Sequence, residues 1–353
     1  MTRRKKVLLS LAALLAAAVL YLLFWPIDLD PVAWEAPTAP EVVPNAKLAN
    51  LPVIAAELSG PEAVAVDSEG RLYTGTVDGK VARFSRDGGA VEILAETGGR
   101  PLGLKVDAEG RVIVADARKG LLAIEAGKVT VLADSFAGDK MRFPDDVALG
   151  PDGTIYFSDA SQRFGVGGKN AEADILEHRE TGRIFAYQPE TKALTVLVDG
   201  LQFANGVAVS LDGSFLLINE TGRYRVMRHW LAGPKAGTTE PFAENLPGFP
   251  DNVTAGPSGL FWVALYSPRV PIVDSLSEHP FWRKAAWRLP SAVRPKPIRK
   301  AFVIALDSQG RIVRDLQDDA PDAYAPVTSV LEHDETLYLG SLERQGVAVL
   351  PVP

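Results

Sequence analysis

The chain has 353 residues, of which 47% are hydrophobic, and its formal net charge at pH 7 is −7. Its first 26 residues hold four cations and no anion, so the remainder is more acidic still, which argues against nucleic acid as a partner. Cysteine is absent, and this excludes disulfides, thiolate metal sites and a cysteine nucleophile.

The amino terminus, residues 1–26, is predicted to be a basic cytoplasmic tip followed by a transmembrane helix. Residues 3–6 are all Arg or Lys and precede an apolar run over residues 7–25. As a helix at ~1.5 Å per residue, that run covers ~28 Å, close to the thickness of a bilayer core. A cleaved signal peptide is the competing interpretation, but its apolar core is usually shorter, about 7 to 15 residues. The positive-inside rule then places the rest of the chain outside the cytoplasm, and the absence of cysteine favours the periplasmic side of a bacterial inner membrane.

A proline-rich segment, residues 27–46, follows the helix. Prolines recur from Pro26 to Pro44 and predict a stiff, extended spacer that lifts the following domain off the membrane. Residues 47–353 then remain for a single large fold.

A phrase repeated six times dominates that region. A β-prone run opens on a pattern such as Pro-Asp-Asn, and a turn with Asp or Gly leads into a second strand. The copies begin at Pro61, Pro101, Pro144, Ala204, Pro250 and, in degenerate form, Val327. Repeats of roughly 40 to 50 residues, each with about four short strands, are typical of β-propeller blades. The predicted fold is therefore all-β, a six-bladed propeller behind a transmembrane helix. Residues 52–58 are expected to complete the last blade and close the ring.

Two long insertions, residues 161–183 and 267–300, interrupt the blade rhythm and are predicted to rise from one face of the ring. The second contains Phe281, Trp282 and Trp287 among many cations. Loops of this length are usually functional. Two interpretations remain open: an interfacial helix that rests on the membrane, or an insertion packed over the propeller rim with solvated cations.

Several motifs in the same order resemble the strictosidine synthase-like family, which includes adipocyte plasma membrane-associated protein. They include Gly99 to Leu104 (GRPLGL), Phe203 to Val207 (FANGV), Pro247 to Asn252 (PGFPDN) and Glu332-His333-Asp334. The resemblance covers nearly the whole chain. It implies the six-bladed propeller with an axial calcium ion of the wider superfamily, which contains gluconolactonases, regucalcin and paraoxonases.

The same resemblance implies a set of metal ligands on the first strands of four blades. The matching residues are Glu62, Asp145, Asn205 and Asp251. All four offer oxygen, which suits Ca²⁺ better than Mg²⁺. The alternative is that they are turn-forming residues at blade entrances, but four at equivalent repeat positions favour a metal. Asp146, the residue after Asp145, is predicted either to lie next to the ligands or to cap a turn.

Departures from the family narrow the chemistry. The catalytic glutamate of strictosidine synthase precedes the Glu-His-Asp phrase, and here no carboxylate stands between Tyr324 and Glu332, so strictosidine synthesis is disfavoured. The second blade opens without the histidine of paraoxonases. The chain's four histidines are all interpreted as surface or loop residues. A Gly-x-Ser-x-Gly elbow is also absent from the sequence.

The function predicted from these observations is calcium-dependent hydrolysis of a small, apolar ester or lactone, of the arylesterase or lactonase type. Asp251 is the first candidate for the catalytic carboxylate and Asp146 a second. The alternative is a non-catalytic, membrane-tethered binding propeller with a structural calcium ion, because propellers host binding as readily as catalysis.

Overall fold

The structure is a computed structural model that describes residues 2–353. Its first element is helix α1 (Arg3–Phe24), and an irregular segment leads from this helix to strand β1 (Val53–Ser59). Six four-stranded antiparallel sheets follow, which confirms the predicted six-bladed propeller. Each of the first five blades is formed by consecutive strands.

The blades take the chain in order. Blade 1 comprises β2 (Val64–Val66), β3 (Leu72–Gly75), β4 (Lys80–Phe84) and β5 (Glu92–Glu96). Blade 2 comprises β6 (Pro101–Val106), β7 (Val112–Asp116), β8 (Gly120–Glu125) and β9 (Lys128–Ala133), and a hairpin of β10 (Ser135–Phe136) and β11 (Asp139–Lys140) follows it. Blade 3 comprises β12 (Pro144–Leu149), β13 (Ile155–Asp159), β14 (Gly182–Gln188) and β15 (Ala193–Leu201), with helix α2 (Asn170–Glu177) inserted between β13 and β14.

The second half of the ring repeats the pattern. Blade 4 comprises β16 (Ala204–Val209), β17 (Phe215–Glu220), β18 (Arg225–Trp230) and β19 (Thr239–Ala243), with a 3₁₀ turn at Thr221–Arg223. Blade 5 comprises β20 (Gly248–Ala255), β21 (Phe261–Pro268), β22 (Ala301–Leu306) and β23 (Ile312–Asp318), with helices α3 (Pro271–Ser275) and α4 (Pro280–Trp287) inserted between β21 and β22. Blade 6 comprises β24 (Ser329–His333), β25 (Thr336–Gly340) and β26 (Gln345–Pro351), and β1 is its fourth strand.

The repeated turn explains why each blade begins as it does. In blade 1 the Asp67 carboxylate accepts the backbone N–H of Glu69 and of Arg71, at 3.0 and 2.9 Å. Gly70 completes the turn at φ = 76°, a conformation that suits glycine because it has no Cβ. The turn thus reverses the chain between the first two strands of the blade.

Apolar clusters between neighbouring blades hold the ring together. The largest fully buried side chain is Trp262 of blade 5, which packs with Leu337 and Leu339 of blade 6. Ring closure is visible at the last interface, where Leu58 of β1 and Val347 of β26 pack with Leu72 of blade 1. Strand β1 pairs antiparallel with β26, as predicted, so the two ends of the propeller meet in one blade.

Helix α1 is 22 residues long, has no buried residue and is apolar enough to cross a membrane. Its carboxyl end is attached to the rest of the protein. The Arg288 side chain, at the end of α4, donates from Nε to the Trp25 carbonyl oxygen at 2.7 Å and from Nη1 to the Leu22 carbonyl oxygen at 3.0 Å. Helix α1 therefore ends against the insertion of blade 5.

The proline-rich segment packs along the propeller and its insertions, a set of contacts that the prediction of a spacer did not include. Leu29 is buried, the Val32 N–H donates to the Glu177 carbonyl oxygen at 2.9 Å, and the Trp34 N–H donates to Ser277 O at 3.2 Å. Prolines do keep the chain extended, but its backbone groups and apolar side chains find partners on both insertions. The segment is a strap along the propeller.

Candidate functional site

A cavity of about 280 Å³ lies where the first strands of the blades converge. Its floor carries all four predicted metal ligands, namely Glu62, Asp145, Asn205 and Asp251. Each of these side chains is buried, with at most 6% of its residue surface exposed. They come from blades 1, 3, 4 and 5, so the fold gathers residues that are up to 189 positions apart, from Glu62 to Asp251.

Irregular pairing aims these side chains at the axis. In blades 3, 4 and 5 the register between the first two strands shifts across the ligand position: after Pro144, after Ala204 and after Pro250. A bulge re-aims the side chain at that point and ends regular pairing there. The same irregularity in three blades places Asp145, Asn205 and Asp251 equivalently.

The floor concentrates negative charge in a buried place. Burial, followed by repulsion from Asp251 and Asp145, raises the pKa of Glu62 well above its ordinary value. Burial and the Asp251 charge do the same to the pKa of Asp145. Burial raises the pKa of Asp251 to about 8, against the opposing effect of the Asn205 amide. Carboxylates that repel one another in this way are stabilised by a cation placed among them.

Two floor oxygens lack a protein partner, and this is the feature that fits a metal ion. Glu62 Oε2 and Asn205 Oδ1 are buried and accept no hydrogen bond from any described residue. Buried polar atoms normally have partners, and oxygens from carboxylate and amide groups are what calcium binds. Within residues 2–353, however, no three Asp, Glu or His side chains are clustered tightly enough to form an ion cage unaided. The donor set that fits a cation is the mixed one, with the Asn205 amide included.

The hydrogen-bond partners of Asp146 differ from those of the floor residues. One of its carboxylate oxygens accepts the Val147 N–H at 2.8 Å, and the other accepts the Val207 N–H of blade 4 at 2.9 Å. It is not part of the cavity lining. Its carboxylate thus links blades 3 and 4, and both oxygens accept backbone N–H groups, which favours a structural role over the catalytic one predicted from the sequence.

The residues next to the floor hold it in place. Asn252 donates from Nδ2 to Glu62 Oε1 at 2.5 Å, across the axis from blade 5 to blade 1. The Asn219 side chain donates to the Asp251 carbonyl oxygen at 2.6 Å. Thr328 donates from Oγ1 to the Glu62 carbonyl oxygen at 2.8 Å. The two floor residues Glu62 and Asp251 are therefore each held in place by hydrogen bonds from side chains of other residues.

Arg100 is a residue near the site that the sequence did not single out. It is buried, donates from Nη2 to the Gly60 carbonyl oxygen at 3.1 Å, and its Nη1 has no partner among the described residues. Its positive charge opposes the rise in the pKa of Glu62. Its position in the Gly-Arg-Pro-Leu-Gly phrase was the available signal, since that phrase opens blade 2.

The walls and roof of the cavity are mostly apolar. The inner blade strands and their entrances contribute Leu102, Phe143, Phe203 and Phe249. The roof comes from both insertions, which confirms that they rise from one face, and it contributes Ile175, Leu176, Val270, Ile272, Leu276 and Trp287. A buried Arg283 side chain of α4 donates to the Leu176 carbonyl oxygen of α2 at 2.7 Å and so joins the two insertions.

Two of the four histidines are buried: His178 lies in the loop after α2, within the prediction of surface or loop positions, whereas His229 lies in strand β18, contrary to it. His178 is buried, and its ring stacks on Trp34 of the strap with centroids 4.0 Å apart. Burial lowers its pKa to about 2, so the ring is neutral. His229 is buried in blade 4, where its Nδ1 lies 2.8 Å from Thr239 Oγ1. No sequence pattern predicted that the strap would cover His178.

Comparisons with known proteins agree with the geometry. The strictosidine synthase family profile matches residues 145–234, and the strictosidine synthase-like N-terminal profile matches residues 43–84. Adipocyte plasma membrane-associated protein of Bos taurus is 34% identical over 364 residues, which cover 94% of this chain and 87% of that protein.

Solved structures share the fold at low identity. A gluconolactonase from Xanthomonas campestris superposes with a TM-score of 0.61 at 18% identity and covers 94% of this chain and 99% of its own. A calcium-binding protein, regucalcin, from Agrobacterium tumefaciens gives a TM-score of 0.59 at 15% identity, with 83% of this chain and 90% of its own covered. Both are propellers of the predicted type.

Proposed function

The chain belongs to the strictosidine synthase-like family that includes adipocyte plasma membrane-associated protein, and from this premise we propose that it is a membrane-anchored, calcium-dependent hydrolase of small, apolar esters or lactones. The observation that carries the proposal is the pairing of an anionic floor, with two unpartnered oxygens, and an apolar cavity above it. A charged floor under apolar walls is the arrangement in which a reactive carbonyl and an apolar substrate body can be held together.

The residues of the floor have two proposed roles, metal binding and general-base catalysis. Glu62, Asp145, Asn205 and Asp251 would hold the ion. A bound calcium ion would supply a Lewis acid that polarises the carbonyl oxygen of the substrate. Asp251 is the proposed general base: its carboxylate takes a proton from the water that attacks the acyl carbon, and the departing alkoxide is then reprotonated.

The apolar walls define the substrate class. Phe143, Phe203 and Phe249 surround the floor, and no more than a small molecule fits a cavity of about 280 Å³. The names of two structural relatives, gluconolactonase and calcium-binding regucalcin, support the ester chemistry and the choice of calcium.

The experiment that tests this function measures hydrolysis of phenyl acetate and of a γ-lactone by the purified full chain. We expect turnover that EDTA abolishes and that calcium restores in excess over the chelator. EDTA should also lower the melting temperature, because an ion that binds only the folded state stabilises it by mass action. Hydrolysis that is indifferent to EDTA would contradict the calcium-dependent mechanism.

The anchor defines where this chemistry takes place. Helix α1 fits a membrane anchor, and the proposal places the propeller outside the cytoplasm because residues 3–6 are basic and precede the helix. In a bacterial inner membrane this is the periplasmic side. The insertion of residues 267–300, which contacts the end of α1, is proposed as a second membrane contact.

A reporter fused after Pro353 checks the topology. Alkaline phosphatase, which needs an oxidising compartment, should be active at this position, and a reporter that fluoresces only after folding in the cytoplasm should be dark. The same two fusions to a chain that starts at residue 27 are the control, and their pattern should reverse because the export signal is missing. An inactive phosphatase fusion together with a fluorescent cytoplasmic reporter on the full chain would refute this orientation.

A further inference from the structure

We propose that the cavity opens toward the lipid bilayer through the insertion of residues 267–300, and that its substrates are esters or lactones dissolved in the membrane. The inference rests on the proposed hydrolase function and deepens it by naming the phase from which the substrate comes. Three independent observations support it.

The first is the attachment of the membrane helix to the cavity wall. Trp287 lines the cavity, and the next residue, Arg288, donates to the carbonyl oxygens of Leu22 and Trp25 at the end of α1. After its four basic residues the helix has 18 uncharged residues, 7–24, long enough to place its two ends near the two membrane interfaces. A residue of the cavity wall is therefore adjacent in sequence to the residue that binds the end of the helix.

The second is the strap, which fixes the propeller against the membrane. Leu29 packs with Phe164 and Ala173 of the first insertion and with Trp287 of the second. The Asp30 N–H donates to Glu177 Oε1 at 2.7 Å, and the Asp30 carboxylate lies 3.1 Å from Lys284 Nζ. Because the first residues after α1 are bound to both insertions, the roof of the cavity stays close to the bilayer.

The third is an exposed apolar surface on the same insertion, which we call the membrane-side patch. Its members share high exposure, between 43% and 63%, and they are Ile272, Phe281, Trp282, Val293 and Ile298. Ile272 also lines the cavity, so the patch reaches the cavity itself. Arg294 and Lys296 of the same insertion also line the cavity, and their charges suit the phosphates of lipid headgroups. Aromatic and basic residues together at one surface are typical of an interfacial contact.

These positions define a route by which a substrate passes from the bilayer to the floor of the cavity. A molecule in the outer part of the bilayer meets Ile272 and Trp287 before it meets water, and the apolar walls lead from there to the carboxylate floor. Transfer from lipid to an apolar wall exposes no apolar surface to water, whereas transfer from solution depends on the small aqueous fraction of a lipophilic ester. Membrane-dissolved substrates are thus favoured over their water-soluble homologues.

A labelling experiment tests the position of the patch without reference to activity. The chain has no cysteine, so Trp282→Cys or Val131→Cys in the full chain gives a single attachment point for a fluorophore. Val131 is similarly exposed, at 54%, on the outer strand β9 of blade 2. In phosphatidylcholine vesicles that contain lipids with brominated acyl chains, we expect loss of fluorescence at position 282 and none at 131. Equal quenching at the two positions, or none at 282, would overturn the inference.

An activity experiment tests the substrate class. In the same vesicles, Phe281→Ser combined with Trp282→Ser should lower hydrolysis of a long-chain γ-lactone by about tenfold or more, the scale expected for two exposed aromatic contacts. Hydrolysis of γ-butyrolactone, which stays in water, should be unchanged. The matched control is Ile93→Ser with Val131→Ser, which removes exposed apolar groups elsewhere and should alter neither rate.

The outcomes separate the two proposals. Equal losses on both lactones, or no loss on the long-chain one, would overturn the membrane route while leaving the hydrolase intact. A wild type that hydrolyses neither lactone would refute the hydrolase and with it the substrate class, and the label at position 282 would still report whether the patch meets the bilayer.

Discussion

Asp251→Asn is expected to lower the turnover of an ester or lactone by about 10² or more, the range for loss of a general base, while the protein remains folded. The amide keeps the size of the side chain and one oxygen for the ion, but it cannot accept a proton from water. The backbone of residue 251 is held independently, because its carbonyl oxygen accepts the Asn219 amide. Turnover and the melting temperature with and without calcium are the measurements.

Asp146→Asn is the matched control for that variant. Asp146 directly follows Asp145, which occupies the same repeat position as Asp251. Both oxygens of Asp146 accept backbone N–H groups. An amide nitrogen facing one of those donors leaves it unpaired, which costs about 1–3 kcal/mol of folding free energy. We therefore expect Asp146→Asn to lower the melting temperature and to leave turnover per folded molecule nearly unchanged.

A different pattern would reassign the function. If Asp251→Asn and the wild type hydrolyse esters and lactones equally, Asp251 is not the base. If neither shows any hydrolysis while calcium still raises the melting temperature of both, the ion is structural, and a tethered binding propeller replaces the hydrolase.

The blades were predictable because their signals are local. A turn such as Asp67 to Gly70 and a strand such as Phe261 to Ala264 need only a few neighbouring residues to be recognised. Closure by β1 was also predictable, since a propeller leaves its last blade one strand short unless a terminus supplies it. These features follow from the period of the repeat and not from any distant contact.

The floor was predictable from the family resemblance together with its equivalent repeat positions, and for the roof only the rise of both insertions from one face was predictable. Equivalent positions in four blades supported Glu62 and Asp251 as ligands, whereas the bulge at Asp251 that aims its side chain inward was not predicted. The contacts of the strap were not predicted, because Trp34 finds its partner, His178, in an insertion 144 positions away. A proline-rich composition fixes an extended backbone but does not say what that backbone will contact.

Glu62→Gln is expected to weaken calcium binding by about tenfold or more, because affinity in oxygen sites depends on the number of charged ligands. Glu62 is well suited to this test. Its Oε1 already accepts the Asn252 amide at 2.5 Å and its Oε2 has no protein partner, so a glutamine can keep the first contact while it removes the charge. Burial and nearby carboxylates raise the pKa of Glu62, and the neutral variant is therefore expected to fold at least as well as wild type without calcium.

Activity and stability should then recover together as calcium is added to Glu62→Gln, because the variant loses affinity and not the base. Titration of turnover and of melting temperature against free calcium measures this. The control is Glu332→Gln, a buried glutamate that accepts the Trp262 indole N–H at 2.6 Å outside the cavity. That variant should lose stability to the same extent at every calcium concentration. Loss of turnover in Glu62→Gln that high calcium cannot restore would remove Glu62 from the ligand set and give it a role in the chemical step.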